Sequence, residues 1–140
     1  MAFADPGISR QIINSGTGPE APTVTLAEAC VRGDVLGYSS GWKLAHATTG
    51  GVVQGRLVAL ADGAIGDVIP VSDKPVVGGY TGATPGGYVY VNEGVAPLGK
   101  GEITQTAPTT SGDANTIIGI ALSATEVLFF LNNRVDSTAA

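Results

Sequence analysis

The chain has 140 residues, of which 12 are acidic and 7 are basic, so its formal net charge is −5. That length predicts one domain. A content of 44% apolar and 14% charged residues excludes general disorder, which requires few apolar side chains and many charges. The 21 glycines and 8 prolines disfavour a helical bundle, because each interior glycine costs a helix about 1 kcal/mol and each proline about 3 kcal/mol. We therefore predict an all-β fold.

Charge, cysteine content and hydropathy exclude several further classes of function. A negative chain with scattered lysines predicts no nucleic-acid partner, because phosphate binding needs basic patches. Cys30 is the only cysteine, which excludes an internal disulfide and a zinc knuckle. No apolar run reaches the ~18 residues of a membrane span, and we expect neither a signal peptide nor a membrane partner, but a cytosolic setting or an assembly built there. Few charges and many apolar residues predict that other subunits cover part of the surface.

Residues 1–23 differ from the rest of the chain and are predicted to form an N-terminal arm. They are rich in glycine and proline, and the stretch after residue 14 is typical of a loop. Ile8, Ile12 and Ile13 form an apolar cluster at a spacing that fits one short helical turn. Two interpretations stay open: a frayed terminus, which is common at chain ends, or an arm whose Phe3 and isoleucines dock on a neighbouring subunit.

From residue 24 onwards, short apolar runs alternate with turns at intervals of roughly 8–12 residues, which is typical of a β-sandwich or β-barrel. We predict a compact β-barrel or sandwich domain over 24–135, preceded by the extended arm and followed by a loose polar tail over 136–140. In chain order the predicted strands are 24–26, 30–38, 42–47, 52–60, 67–71, 76–77, 88–91, 103–106, 116–122 and 126–131.

The residues that carry chemistry in other proteins are few and scattered here. His46 alternates with Trp42 and Leu44 on one strand face, which favours a packed or edge histidine over a metal ligand, since a metal site needs three or four ligands. Cys30 would need a neighbouring base to act as a nucleophile, and a small buried cysteine is the favoured interpretation. The glycine-rich segment 78–87 lacks the order of a phosphate-binding loop and is predicted to be a flexible surface loop. We therefore predict no catalytic residues, no metal and no cofactor.

Aromatic side chains give a first indication of an interaction surface. Tyr88 and Tyr90 share one face of a predicted strand, while Val89 and Val91 share the other. The valine face fits the core. The two tyrosines, with Tyr80 and Trp42, are therefore candidates for an interface, where such rings are enriched; cross-strand packing within the fold is the alternative.

Four segments of the chain resemble the head decoration, or cement, proteins of tailed double-stranded-DNA phages. Within residues 29–133, the resemblance is carried by GDVLGYSSGWKLAHA, GRLVALADGAIGDVIPV, TPGGYVYVNEG and IIGIALSATEVLFFLNN. Its most specific part is the ending, in which a strand of the pattern IGIALS is followed by a tight turn and a hydrophobic last strand. The resemblance implies a small, β-tulip-like fold.

The resemblance also implies a function without catalysis. Such proteins sit on the outer capsid surface, bridge adjacent major capsid subunits against the pressure of packaged DNA, and often form trimers. We therefore expect a structural virion protein, made in the host cytoplasm, whose partners are the major capsid protein and itself as a homotrimer. By analogy, the capsid contacts are residues 1–23 and the loops around Gly78–Gly87 and Val95–Gly101, and the trimer packs through Val127 to Leu131.

Together, composition, strand pattern and resemblance predict capsid or subunit contacts at ten residues: Phe3, Ile8, Ile12, Ile13, Trp42, Tyr80, Tyr88, Tyr90, Phe129 and Leu131. Two other classes of function stay open. One is a different virion or surface β-module, such as a fibre or spike base or a ligand-binding adhesin domain. The other is a trimeric β-fold nucleotide hydrolase, which would need arginines and glycine motifs around a triphosphate.

Overall fold

The computed structural model describes residues 3–18, 20–94, 99–132 and 135–140, and these residues confirm the predicted all-β class. The described residues form one short 3₁₀ helix, Gly7–Ser9, and eleven strands. The strands are β1 Gln11–Asn14, β2 Thr23–Thr25, β3 Val35–Tyr38, β4 Trp42–Leu44, β5 Leu57–Ala59, β6 Val68–Ser72, β7 Val76–Gly78, β8 Tyr88–Val91, β9 Ile103–Thr104, β10 Gly119–Ala121 and β11 Glu126–Phe129.

The strands form two antiparallel sheets that pack as a sandwich. The six-stranded sheet has the order β1-β7-β11-β10-β8-β9, and the five-stranded sheet has the order β2-β6-β5-β3-β4. Of the two architectures that the sequence left open, the chain therefore adopts the sandwich and not a closed barrel. Because both sheets are antiparallel, each strand can present one face to the core and the other to solvent.

The core between the sheets follows this alternation. In β8, Val89 and Val91 are buried, whereas Tyr88 is exposed and Tyr90 is half-buried, which confirms the predicted faces of this strand. Both sheets contribute to the cluster, which consists of Val35, Ala45, Val58, Val77, Tyr80, Val89, Val91, Ile103, Ile118, Val127, Phe129 and Leu131.

A second buried cluster lies on the other face of the five-stranded sheet. It consists of Leu26, Cys30, Leu36, Ala59, Ile69 and Val71. The sheet curls around this cluster: Leu26, directly after β2, forms a parallel bridge with Trp42 in β4, at the opposite edge of the sheet. Because this contact is one isolated bridge and not a run of paired residues, the two edges of the sheet do not close into a barrel. The predicted burial of Cys30, which is 7% exposed, is confirmed.

The N-terminal segment differs from the predicted arm. Gln11–Asn14 forms β1, the edge strand of the six-stranded sheet, where Ile12 pairs with Val77. Ala4 forms a further bridge with Thr81. The predicted helical turn is confirmed only at Ile8, which lies in the 3₁₀ helix that ends at Ser9. It is wrong for Ile12 and Ile13, which lie in β1, because β-branched residues suit a pleated strand. The segment completes the sheet of its own chain.

The C-terminal tail is also attached rather than loose. Thr138 forms a bridge with Ala114, and the Ala139 amide donates a hydrogen bond of 2.7 Å to the Asp113 carbonyl. Arg56 donates to the Asp136 carboxylate at 2.7 Å. A short polar tail has no apolar pattern to mark it as ordered, so its backbone hydrogen bonds could not be predicted from composition.

Candidate functional site

A row of apolar side chains crosses the outer face of the six-stranded sheet. Val76 of β7 pairs with Leu128 of β11, Leu128 pairs with Ile120 of β10, and Ile120 pairs with Tyr88 of β8. Directly paired residues in antiparallel strands point to the same face, so the four side chains lie side by side. We call this set of four the outer row.

The outer row faces away from the core. Neighbouring residues in the same strands, such as Val77, Val127 and Val89, are fully buried between the sheets. Tyr88 is 47% exposed, and the other three members of the row are half-buried. A contiguous apolar stripe that the chain's own core does not cover is typical of a surface that contacts another protein.

Polar residues and the edge strand border the outer row. Tyr90 pairs with Thr104 at one side, and Glu126 pairs with Gly78 next to the other end. Ile13 packs over Gly78, since its Cδ1 atom lies 3.1 Å from the position that a Cβ would take there. Ile13 is itself 50% exposed, so it extends the apolar surface towards β1.

Three of the ten predicted interface residues are core residues instead. Tyr80 is 1% exposed, Phe129 is 0% exposed and Leu131 is 1% exposed. Phe129 is buried because strand alternation places it on the same inward face of β11 as Val127. The Tyr80 ring stacks on Phe3 with its centroid 5.7 Å away. Tyr80, Phe129 and Leu131 are therefore packing residues of the core. The half-buried Phe3 packs against the same core.

The remaining predicted residues are spread over the molecule. Ile8 is 73% exposed next to β1, whereas the half-buried Ile12 packs against the core. Trp42 lies on the other sheet, where it packs against the second buried cluster and meets Tyr38 edge-on at 5.5 Å. The structure therefore does not bring the predicted set together on one surface; Tyr88 is the member that lies in the outer row.

The predicted contact loops have different outcomes. The Gly78–Gly87 loop is tied down, because Gln105 accepts a hydrogen bond of 2.7 Å from the Thr84 amide and donates to the Thr84 and Gly87 carbonyls. Its predicted flexibility is therefore not supported by its hydrogen bonding. In the Val95–Gly101 loop, residues 95–98 lie outside the described residues.

A buried ion cluster that the sequence did not predict fixes the N-terminal segment. Arg10 is fully buried; its Nε donates to the Asp5 carboxylate at 2.6 Å and its Nη1 to the Asp34 carboxylate at 2.7 Å. Asp5 also accepts the amide of Ile103 in β9, and Asp34 accepts the amide of Val31. The cluster therefore joins the segment to both sheets.

Burial and charge act against each other within this cluster. Burial lowers the pKa of Arg10, but Asp5 and Asp34 raise it by more, so Arg10 stays charged. Burial raises the pKa of Asp34, an effect that Arg10 and the Val31 amide oppose. No sequence signal predicts the cluster, because arginine and aspartate are almost always exposed unless they are paired. Its role is structural.

His46 and Cys30 lie in different surroundings, and the Cys30 thiol donates to the Ala61 carbonyl at 3.8 Å. Cys30 belongs to the second buried cluster, where burial raises the pKa of its thiol to about 11. His46 lines a cleft with Glu28, Lys43 and Lys100. Burial and the charge of Lys100 lower the pKa of His46, and Glu28 opposes them.

Comparison with known proteins adds no relative. No protein-family model, no curated protein and no solved structure matches the chain. Within the described ranges, no group of three or more histidine, cysteine, aspartate and glutamate side chains is placed to hold a metal ion. The helix search over the same residues found none with the length and apolar content to traverse a membrane.

Proposed function

We propose that this protein is a structural component of a tailed-phage virion, which binds the outer surface of the capsid and cements adjacent major capsid subunits. The observation that carries the proposal is the outer row, which gives a small β-sandwich an apolar surface for contact with other proteins. The resemblance of the sequence to head decoration proteins supplies the identity of the partner.

The rigidity of the chain supports this proposal. A cement protein has to resist deformation, and ordering of mobile segments on binding would reduce its affinity. Here, β1 completes the six-stranded sheet, Arg10 joins the N-terminal segment to both sheets, and the C-terminal residues bond back to Asp113 and Ala114. Little ordering of these segments would remain for the binding step.

Self-association into a homotrimer is part of the proposal. The outer row is four residues wide, so one copy offers only a modest apolar contact. Joining several copies raises the apparent affinity by about 10²–10⁴ without any new contact, provided that all copies engage at once. A trimer on a capsid lattice satisfies that condition.

Binding to heads tests the proposal. Purified protein is mixed with expanded heads of the phage that encodes it, prepared without this protein, and the heads are pelleted. We expect wild type to pellet with the heads, and Leu128→Lys combined with Ile120→Lys to remain in the supernatant, because both lysines would charge the outer row.

The control for each added lysine is Val68→Lys, which places one positive charge at a residue that is 64% exposed on the five-stranded sheet. This variant is expected to pellet like wild type. Failure of wild type to bind heads would contradict the proposal, and binding to a fibre protein or a host glycan instead would favour a different surface β-module.

A further inference from the structure

The positive charges of this acidic chain are distributed unevenly. Arg10, Arg32 and Arg56 each lie within 3.7 Å of an aspartate oxygen. The three lysines, Lys43, Lys74 and Lys100, in contrast, form no ion pair with any carboxylate among the residues that the structure describes. Lys43 and Lys100 line the same cleft, and Lys74 lies outside it. Two of the three lysines without an ion pair therefore lie together in a chain of net charge −5.

The fold holds the polar groups of the cleft in fixed positions. Lys43 belongs to β4, and His46 follows the strand. Gly94 separates His46 from Lys100: the position of a Cβ at Gly94 lies 2.8 Å from the His46 Cβ and 3.0 Å from the Lys100 Cγ. Glu28 is the one carboxylate of the cleft, and one of its oxygens already accepts the Leu44 amide at 2.9 Å.

Apolar side chains line the rest of the cleft. They are Ala27, Leu44, Val53 and Ile65. Ile65 is 72% exposed, so most of its apolar side chain is open to contact with another molecule. The cleft has a volume of about 310 Å³, which is enough for a few side chains of a peptide. The cleft therefore places cationic groups beside an apolar wall, which suits a ligand that carries both a negative charge and an apolar group.

We propose that this cleft binds an acidic segment of another protein, in which a carboxylate reaches Lys43 and Lys100 and a neighbouring apolar side chain packs on Ile65 and Leu44. Two lysines and one glutamate give the cleft a formal net charge of +1, with the histidine counted as neutral. Charge complementarity therefore selects an anion, and the apolar wall selects one that carries an apolar neighbour.

A peptide carboxylate fits the cleft better than a free phosphate does. Phosphate sites typically use bidentate arginine forks or clusters of backbone amides. The cleft has neither an arginine nor a glycine-rich nest among its lining residues, and about half of those residues are apolar. The inference does not depend on the capsid role, since any protein with such a segment would suffice.

A titration of the isolated protein tests the inference. The probe is the peptide acetyl-Glu-Leu-Glu-amide, and the readout is the ring proton resonance of His46, the only histidine. We expect a saturable shift and, because a bound carboxylate favours the imidazolium, a higher pKa of His46, which Lys43, Lys100 and Glu28 face. Raising the salt to about 0.5 M should weaken binding.

Matched variants and probes decide the outcome. Lys43→Gln combined with Lys100→Gln should weaken the peptide by about fivefold, while Lys74→Gln, which changes the lysine outside the cleft, should leave affinity within about twofold of wild type. The inference is overturned if no saturable shift occurs, if acetyl-Gln-Leu-Gln-amide binds equally, if Lys74→Gln matches the double variant, or if inorganic phosphate binds as tightly as the peptide. None of these results depends on heads, so this test and the pelleting test fail independently.

Discussion

Arg10 and Asp34 form a buried ion pair, with the guanidinium Nη1 2.7 Å from the carboxylate Oδ1 and side-chain exposures of 0% and 7%. The pair connects the N-terminal segment to the turn that precedes β3, while Asp5 connects the same guanidinium to β9. A segment with the composition of a free arm thereby becomes a structural part of the sandwich. The consequence is measurable as stability.

Replacement of Arg10 should destabilise the chain strongly. Arg10→Met leaves the carboxylates of Asp5 and Asp34 buried without their partner, and we expect the free energy of unfolding to fall by about 3–5 kcal/mol. Denaturant unfolding followed by the fluorescence of Trp42, the only tryptophan, measures the loss.

The control for this variant is Arg32→Met. Arg32 lies 3.7 Å from Asp62, and the two side chains are 40% and 61% exposed, so this change should cost only about 0–1 kcal/mol. Equal losses for the two arginines would show that the buried pair contributes nothing beyond an exposed one.

Removal of the Tyr80 hydroxyl should not destabilise the protein. Tyr80 is 1% exposed, and its hydroxyl has no hydrogen-bond partner among the described residues. Burial without a partner costs free energy, so Tyr80→Phe should leave the free energy of unfolding unchanged or raise it by about 1 kcal/mol. A loss of more than about 1 kcal/mol in thermal or denaturant unfolding would mean that the hydroxyl has a stabilising contact.

Acidification should reduce stability through His46. Burial and Lys100 lower the pKa of His46 from its ordinary value of 6.5, so the folded state favours the neutral ring. The stability that this provides is complete above pH 6.5, and it falls with pH until the folded-state pKa is passed. The free energy of unfolding, measured across this window, should fall more steeply with decreasing pH in wild type than in His46→Gln. A stability that rises on acidification in wild type alone would contradict the assignment.

The Cys30 thiol should react slowly in the folded protein. Its pKa is raised to about 11 by burial, with Asp34 and Asp62 adding to the effect, and the thiolate is the reactive form. We expect little labelling by iodoacetamide at neutral pH, and complete labelling once denaturant is added. Rapid labelling of the native protein would show that the second buried cluster opens readily.

The sequence predicts the strands better than it predicts the contacts between them. Period-two alternation correctly assigns the faces of β8, because Val89 and Val91 are separated by a tyrosine that tolerates solvent. The same period fails at β1, where one half-buried isoleucine, Ile12, leaves too short a pattern to distinguish a strand from a turn.

The candidate surfaces were predictable only in part. Tyr88 follows from its strand, but its alignment with Val76, Leu128 and Ile120 depends on the order of strands that are far apart in the chain. An aromatic residue such as Tyr80 is equally suited to an interface and to a core, and only tertiary packing decides between them. Lys43 and His46 likewise meet Lys100 only through tertiary packing, because Lys100 is far from them in the chain.

Whether the protein binds the capsid through the outer row can be seen in a cryo-electron-microscopy map of phage heads saturated with the protein. We predict extra density on the outer surface of the shell, in which the β-sandwich can be placed with Tyr88 and Leu128 against a capsid protein or a second copy of this chain. A map without added density, or one in which this sheet face points to solvent while another surface makes every contact, would contradict it.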